Sequence, residues 1–337
     1  MSALKNIIEA EIAAHGPMPV SRYMELCLGH PEHGYYMRQQ PFGAGGDFTT
    51  APEISQMFGE LIGLWLVHMW QQAGAPARFT LLELGPGRGT LMADILRAAR
   101  LAPAFLQAAR VYLMESSPRL RAVQRGALGE VQHIERLGDL PEGPVFAVAN
   151  EFFDALPIRQ FVKNDFGWQE RLVGPGLVWA LSDTGKRPEL DAEFPDLETG
   201  RMVETNEAAR AISHALTQKI SAEGGVMLAV DYGEFDGVGD TLQAVHNHKT
   251  VNVFEHIGKA DLTAHVRFKN LVQNGVSHKF TTQGAFLTRL GIAERAKALG
   301  GVDDQMHRLA DTTEMGDLFK VLAVMPKGYG EIAGFET

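Results

Sequence analysis

An acidic residue stands two positions before three alternating glycines in segment 83–90, ELGPGRGT. Such glycines let the backbone turn sharply and let a ligand approach a helix N-terminus without a Cβ in the way. The segment lacks the Gly-Lys-Ser/Thr of a phosphate-binding P-loop, and its G-x-G-x-G spacing differs from the G-x-G-x-x-G of a dinucleotide fingerprint. A carboxylate at Glu83 repels a pyrophosphate and attracts an ammonium group. The segment therefore favours S-adenosylmethionine over NAD, with a tight turn that binds nothing as the structural alternative.

Two further places along the chain predict contacts to a nucleoside. Glu115 ends the apolar run 110–115, where an acid in nucleotide-binding α/β folds accepts hydrogen bonds from ribose hydroxyls. Asp139 and Leu140 put a carboxylate beside an apolar side chain, as an adenine pocket requires. For that pair, a solvated turn is an equal alternative.

Segment 150–157, NEFFDALP, concentrates polar, aromatic and acidic residues where open α/β sheets place their active sites. Methyl transfer from a sulfonium needs a nucleophile held in line with the methyl group. If the nucleophile is a guanidinium nitrogen, Glu151 or Asp154 can clamp the opposite nitrogens. The two phenylalanines are equally expected in the core. His265 is a candidate polar contact near the substrate, or else a structural histidine.

We predict no metal site. The histidines at positions 246, 248, 256 and 265 match no tight ligand spacing, and the only cysteine, Cys27, excludes a C-x-x-C site and an intramolecular disulfide.

The elements that must position these residues are short apolar runs separated by helical segments. The runs cover residues 79–84, 110–115, 131–134, 145–150 and 225–231. Runs without alternation are typical of strands buried on both faces, so they predict an α/β fold with a parallel, doubly wound sheet. Hairpin-like strands at about 158–215 predict an insertion, and runs 278–283 and 319–324 predict an edge pair.

The N-terminal part reads as helices over about residues 1–30, followed by the glycine-rich stretch 42–48. Thr50 and Glu53 have the spacing of a capping box, and the apolar residues that follow predict one helix from Thr50 to Met69.

Length and composition limit the possible classes. The 337 residues suggest two domains, or one large domain with an insertion. The net charge of −10 argues against a nucleic-acid binder. The longest apolar stretch, 61–70, is too short to span a bilayer, and the chain opens with neither a signal peptide nor an arginine-rich transit peptide. We therefore expect a cytoplasmic protein that does not insert into membranes.

Six ordered blocks resemble the MidA family of S-adenosylmethionine-dependent methyltransferases. They are 46–56 (GDFTTAPEISQ), 83–90, 150–157, 231–233 (DYG), 241–245 (TLQAV) and 261–266 (DLTAHV). The resemblance covers about residues 20–325. It implies a class I methyltransferase fold, Rossmann-like, with a seven-stranded, mostly parallel sheet. It also implies a helical cap at 1–75, with residues 43–50 as a lid over the cofactor, and a methyltransferase domain at 76–330 with an insertion at 158–215.

The resemblance also implies an activity. The family's mitochondrial member is an arginine methyltransferase that assists assembly of respiratory complex I, so symmetric dimethylation of an arginine on a complex I subunit or similar protein is expected. This chain departs from the family at Arg267, where an acid is expected, and at 255–260, which lacks a proline-glycine pair. Both departures lie in the expected substrate region.

The prediction is an enzyme with S-adenosylmethionine as cofactor and a protein as substrate, in an unspecified oligomeric state. The alternatives are an assembly chaperone that retains the pocket and a nicotinamide-dependent oxidoreductase. The candidate catalytic residues are Glu151, Asp154 and His265. The candidate cofactor-binding residues are Thr50, Glu83, Gly85, Pro86, Gly87, Gly89, Glu115, Asp139, Leu140 and Asn150.

Overall fold

The computed structural model describes residues 2–38 and 50–336. Its helices are α1 Ala3–His15, α2 Val20–Gly29, α3 Tyr35–Arg38, α4 Ala51–Ile54, α5 Gln56–Gln72, α6 Thr90–Ala98, α7 Pro103–Ala108, α8 Pro118–Leu128, α9 Pro188–Glu193, α10 Glu207–Glu223, α11 Gln283–Arg289, α12 Ile292–Leu299, α13 Asp303–Ala310 and α14 Met315–Leu318. Its strands are β1 Met18–Pro19, β2 Phe79–Leu84, β3 Ala109–Met114, β4 Gln132–Ile134, β5 Val145–Asn150, β6 Arg159–Asn164, β7 Gly167–Gly174, β8 Val178–Leu181, β9 Met202–Thr205, β10 Gly225–Glu234, β11 Gln243–His246, β12 Lys249–Val251, β13 Asp261–Thr263, β14 Val266–Arg267, β15 Val276–Thr282 and β16 Phe319–Pro326.

The central sheet has the strand order β15-β16-β10-β5-β2-β3-β4, with the short β14 paired to the end of β10. Strands β4, β3, β2, β5 and β10 are parallel, and β16 runs antiparallel to both of its neighbours. The sheet therefore confirms the predicted α/β fold with seven mostly parallel strands. The expected pair of β15 and β16 forms, with β16 lying inside the sheet rather than at its edge.

Both faces of this sheet are buried, which explains the unalternating apolar runs. In β5, Phe146 and Val148 pack on one face with α5 and α6, whereas Val145 and Ala147 pack on the other face with α10. All six residues of β2 are buried, including Glu83. Burying a carboxylate there costs free energy, so its position at the strand's end needs a functional explanation.

The N-terminal helices and the segment inserted after β5 are joined by main-chain pairing. Strand β1 lies antiparallel to β7, in a sheet of order β1-β7-β6-β9 with β8 paired to β7. A separate apolar cluster joins α1 and α2 to the three-stranded sheet β12-β11-β13. The predicted division of the chain at residues 75 and 76 stays a proposal.

The helix expected from Thr50 to Met69 is interrupted at Ser55, whose extended backbone (φ −159°, ψ 140°) separates α4 from α5. Thr50 precedes α4, but its side chain makes no capping hydrogen bond. The Glu53 carboxylate instead accepts a hydrogen bond from Thr90 Oγ1 at 2.6 Å and from Arg88 at 3.3 Å. The expected capping box is therefore wrong, because Glu53 ties α4 to the first turn of α6.

Two glycines of α5 allow its close approach to α6. A Cβ built on Gly63 would lie 2.9 Å from Ile95 Cα, and one built on Gly59 would lie 2.5 Å from Asp94 Cβ. None of the helices in the described ranges combines the length and apolar character needed to cross a bilayer.

We expect Gly63→Ala to lower the free energy of unfolding by about 1–3 kcal/mol, because the new methyl group meets the α6 backbone. Gly126→Ala in α8 is the control, since a Cβ there contacts nothing within 4 Å; it should raise stability by about 0.5–1 kcal/mol. Urea denaturation of both variants measures the two effects. Equal shifts in the two variants would contradict this account of the α5–α6 contact.

Candidate functional site

The turn after β2 has the backbone that its glycines predict. Gly85, Gly87 and Gly89 have φ values of 63°, 51° and 84°, and Gly89 leads into α6. A Cβ on Gly85 would also lie 2.7 Å from the Phe152 ring. Other residues are strained at such φ values, so this turn requires glycine and leaves the N-terminus of α6 open to a ligand.

Two buried oxygen atoms beside this turn have no hydrogen-bond partner within the described residues: Glu83 Oε2 and Asn150 Oδ1. Both side chains line a narrow cavity of about 40 Å³, together with Thr50 and Pro86. Burial raises the pKa of Glu83 to about 8. Unsatisfied buried acceptors are costly, so this pair suits a ligand with several N–H donors, such as an ammonium group.

Glu115 lies on the other side of the glycine turn, in a larger cavity of about 390 Å³ that Gly85 and Gly87 also line. Its carboxylate accepts hydrogen bonds from the Ser117 N–H at 2.8 Å and from Gln124 Nε2 at 3.2 Å. Gln124 Nε2 also donates to the Gly87 carbonyl at 2.7 Å. Gln124 therefore fixes Glu115 relative to the turn, a role without any signal in the sequence.

The structure does not bring Asp139 and Leu140 to this cavity. Among its described lining residues, the acids are Glu25, Glu115, Glu135 and Glu151. Asp139 ends a short 3-10 helix and lines a separate, open depression, whereas Leu140 packs at the edge of the core beneath the sheet. The adenine role of both residues stays a prediction that the geometry does not support.

The carboxylate of Asp231, at 0% exposure, organises the chain that follows β5. Its Oδ2 accepts the backbone N–H groups of Phe152, Phe153 and Asp154 at 3.0–3.3 Å, and its Oδ1 accepts that of Tyr232 at 3.0 Å. Burial and the nearby acids Asp154 and Glu151 raise the pKa of Asp231, and the backbone hydrogen bonds from Tyr232 and Phe153 oppose this rise. Its place in the block DYG is the signal that pointed to this strand end.

A second cavity, of about 360 Å³, lies beyond this loop, and its inner wall is acidic. Glu151, Asp154 and Asp261 all line it, and Asp154 Oδ1 is buried without a partner in the described part of the chain. Burial and the charge of Asp154 raise the pKa of Glu151 to about 7, and burial raises that of Asp154 to about 6. The Glu151 carboxylate also accepts the Ala51 N–H at 3.3 Å, so the start of α4 is joined to this wall.

His265 lines the same cavity from its exposed side, with its ring edge-on to Tyr232 at 5.3 Å. Partial burial lowers the pKa of the imidazole. Its backbone N–H donates to Thr241 Oγ1 at 2.8 Å. Thr241, in the block TLQAV, thus holds His265 in place and was not among the predicted site residues.

Comparison with known proteins decides among the chemistries that this arrangement allows. A family model described as "Putative S-adenosyl-L-methionine-dependent methyltransferase" matches residues 61–286. The chain belongs to this methyltransferase family. A crystal structure of a COG1565 superfamily member from Burkholderia thailandensis, bound to S-adenosyl-homocysteine, superposes with a TM-score of 0.84 and 28% identity. The match covers 98% of this chain and 94% of that one.

Curated relatives cover nearly the whole chain. The Xenopus tropicalis and human proteins named "Protein arginine methyltransferase NDUFAF7, mitochondrial" are 35% and 34% identical, over 97% and 94% of this chain and 86% and 82% of their own lengths. The Drosophila melanogaster homologue is 32% identical over 96% of this chain and 85% of its own length. All three names include the word mitochondrial. This contradicts our expectation of a cytoplasmic protein, and that expectation is withdrawn.

The cofactor of this methyltransferase is S-adenosylmethionine, as predicted, and the residues present fit it. Glu83 and Asn150 offer unpartnered oxygens for the ammonium group, and Glu115 lies in the larger cavity where a ribose needs an acceptor. Membership in this methyltransferase family excludes the alternative of a nicotinamide-dependent oxidoreductase. The individual cofactor contacts stay predictions. The lid over residues 43–50 lies outside the described residues, except for Thr50, which lines the narrow cavity.

Local packing explains the two departures from the family pattern. Arg267 donates to Asp236 at 2.8 Å, forms an ion pair with Glu193, and stacks over the Phe194 ring at 4.3 Å. In segment 255–260, a Cβ on Gly258 would lie 2.4 Å from the His33 carbonyl oxygen of the cap. Arg267 is therefore neutralised by Asp236 and Glu193, and 255–260 packs against the N-terminal helices. No cluster of three or more metal-ligating side chains occurs in the ranges that the structure describes.

We expect cofactor binding to release a proton from Glu83. With a pKa of about 8, this carboxyl is mostly protonated at pH 7, and a bound ammonium favours its ionised form. Affinity for S-adenosylmethionine should therefore rise as the pH rises from 6 toward 8, by up to about tenfold per unit. Calorimetry in buffers of different ionisation enthalpy measures the proton release.

Glu83→Gln should remove about one released proton and weaken binding by about 10–100-fold, the loss expected for a hydrogen bond between charged groups. Glu60→Gln is the control, because ion pairs with Arg97 and Arg295 lower the pKa of this other buried acid. Unchanged proton release in Glu83→Gln would show that another group titrates.

Proposed function

We propose that this methyltransferase transfers methyl groups to an arginine side chain of a protein, with the acceptor bound in the 360 Å³ cavity. The observation that carries the proposal is the acidic wall formed by Glu151, Asp154 and Asp261 beside the cofactor cavity. The names of the curated relatives, which specify protein arginine methylation, support the same substrate class.

A buried acidic wall recognises a cation. Asp154 Oδ1 lacks a partner among the described residues, and a carboxylate binds a guanidinium through two parallel N–H bonds. Pairing with a cation also favours the ionised forms of Glu151 and Asp154, which burial otherwise disfavours. Binding at one pair of nitrogens localises the charge there, and this leaves the remaining nitrogen as the nucleophile.

S-adenosylmethionine supplies an electrophilic methyl group on a sulfonium. The acceptor nitrogen forms a bond to the methyl carbon, the carbon–sulfur bond breaks with its electron pair on sulfur, and the nitrogen loses a proton. Glu151, whose pKa of about 7 is close to neutrality, is suited to accept that proton. His265, with a lowered pKa and an exposed surface, can pass a proton on to solvent.

The proposal extends to the product and the partner that the resemblance implies. We expect symmetric dimethylarginine, formed on a subunit of respiratory complex I or a similar protein. Amino-acid analysis of labelled protein distinguishes the monomethylated, symmetric and asymmetric products.

We expect Asp154→Asn to reduce transfer of labelled methyl groups into lysate protein by at least about 100-fold, because it removes a charge that holds the nucleophile. Binding of S-adenosylhomocysteine should change less than about threefold. Asp196→Asn is the control, since this exposed acid of the inserted segment lines neither cavity. Label on residues other than arginine would overturn the proposal.

The same variant tests the alternative of an assembly chaperone that retains the pocket. In cells lacking the native protein, Asp154→Asn should fail to restore function if methylation is required. Full restoration by an inactive Asp154→Asn protein would favour the chaperone.

A further inference from the structure

The N-terminal helices contribute one side chain to the boundary between the two cavities. Of the residues that the structure describes, only Tyr36, on α3, and Glu151, just after β5, line both the 390 Å³ cavity and the 360 Å³ cavity. These two side chains therefore lie where the two cavities adjoin.

The Tyr36 hydroxyl has a fixed partner on the acceptor side. It donates a hydrogen bond to Asp261 Oδ1 at 3.0 Å, and Asp261 is 7% exposed on the wall of the second cavity. Burial, together with the charges of Asp261 and Asp154, raises the pKa of Tyr36 well above its ordinary value. The hydroxyl therefore keeps its proton, and a phenol is both a hydrogen-bond donor and an acceptor.

The fold builds this pair from two segments that are distant in the sequence. Asp261 begins β13, whose Leu262 packs in one apolar cluster with residues of α1 and α2. The Tyr23 hydroxyl in α2 also donates to the Val253 carbonyl at 2.6 Å. The packing of the N-terminal helices on the three-stranded sheet thus fixes where Tyr36 meets Asp261.

We propose that Tyr36, oriented by Asp261, binds the acceptor guanidinium opposite Glu151 and helps to select arginine over lysine. The inference rests on the proposed function. A guanidinium has donors on both edges of a rigid plane, so it can donate to Tyr36 on one edge and to a carboxylate on the other. A lysine ammonium carries its three donors on one atom and lacks the two separate donor edges of a guanidinium. Tyr36 contacts the substrate, whereas Asp261 is a positioning residue.

The test compares Tyr36→Phe and Asp261→Ala with the wild-type chain on two pools of synthetic peptides. Each peptide of the first pool carries one arginine, and each peptide of the second pool carries one lysine. Both variants should lose about 10–100-fold in kcat/KM on the arginine pool, the effect of one hydrogen bond to a charged group. The ratio of arginine to lysine methylation should fall. The double variant should lose no more than Tyr36→Phe, because the two residues act as a unit.

Two measurements separate this role from a structural one. The Kd of S-adenosylhomocysteine, measured by calorimetry, should stay within about threefold of the wild-type value in both variants. Tyr35→Phe is the matched control on the same helix, since Tyr35 lines neither cavity, and it should keep both the wild-type rate and the arginine preference.

The outcomes distinguish a failure of this inference from a failure of the proposed function. If the wild-type chain methylates no arginine peptide, the proposed function fails. If it does so and both variants match its rate and preference, only the role of Tyr36 and Asp261 is overturned. A loss of S-adenosylhomocysteine binding that accounts for the whole loss of rate would also overturn it, because Tyr36 would then belong to the cofactor site.

Discussion

The active-site edge of the sheet depends on one buried carboxylate. Asp231 accepts four backbone N–H groups, three of which belong to the loop that carries Glu151 and Asp154. A neutral residue of the same shape satisfies these donors less well, because bonds to a charged acceptor are roughly twice as strong. The loop leaves β5 with Glu151 at a φ of 49°, a strained value that the surrounding contacts must maintain. Both cavities are shaped by this loop.

The buried acids at this edge of the sheet differ in how many hydrogen-bond donors their carboxylates have. Asp231 is held by four N–H donors, whereas Glu83 and Asp154 each keep a buried oxygen without a partner among the described residues. Burial raises the pKa of both Glu83 and Asp154, and two cationic ligands can reverse that effect: an ammonium at Glu83 and a guanidinium at Asp154. In the ternary complex that we propose, cofactor and acceptor would each bind at an acid whose buried oxygen has no partner among the described residues.

The sequence predicted the central fold and the cofactor turn because both depend on local sequence patterns. A strand buried on two faces has to be continuously apolar, and a backbone with positive φ at positions 85, 87 and 89 has to be glycine. The predicted capping box rested on an equally local pattern and was wrong, and the structure places Asp139 and Leu140 outside the cavity that Glu115 lines. Their side chains had other partners or surroundings, and spacing alone does not reveal which neighbour a side chain will reach. The expected cytoplasmic location rested on the lack of a recognised targeting pattern and of a long apolar segment, and the mitochondrial names of the relatives contradict it.

What the sequence determined by itself is the class: an S-adenosylmethionine-dependent methyltransferase with its acids at the strand ends. Residue type and spacing suffice there, because strand, turn and helix are contiguous in the chain. Only the tertiary structure decided how the acceptor cavity is built. Tyr36 and Asp261 are more than two hundred residues apart, and they meet because an apolar cluster packs the N-terminal helices on the sheet of β11–β13. That contact depends on buried surface between distant segments, and no local sequence pattern predicts it.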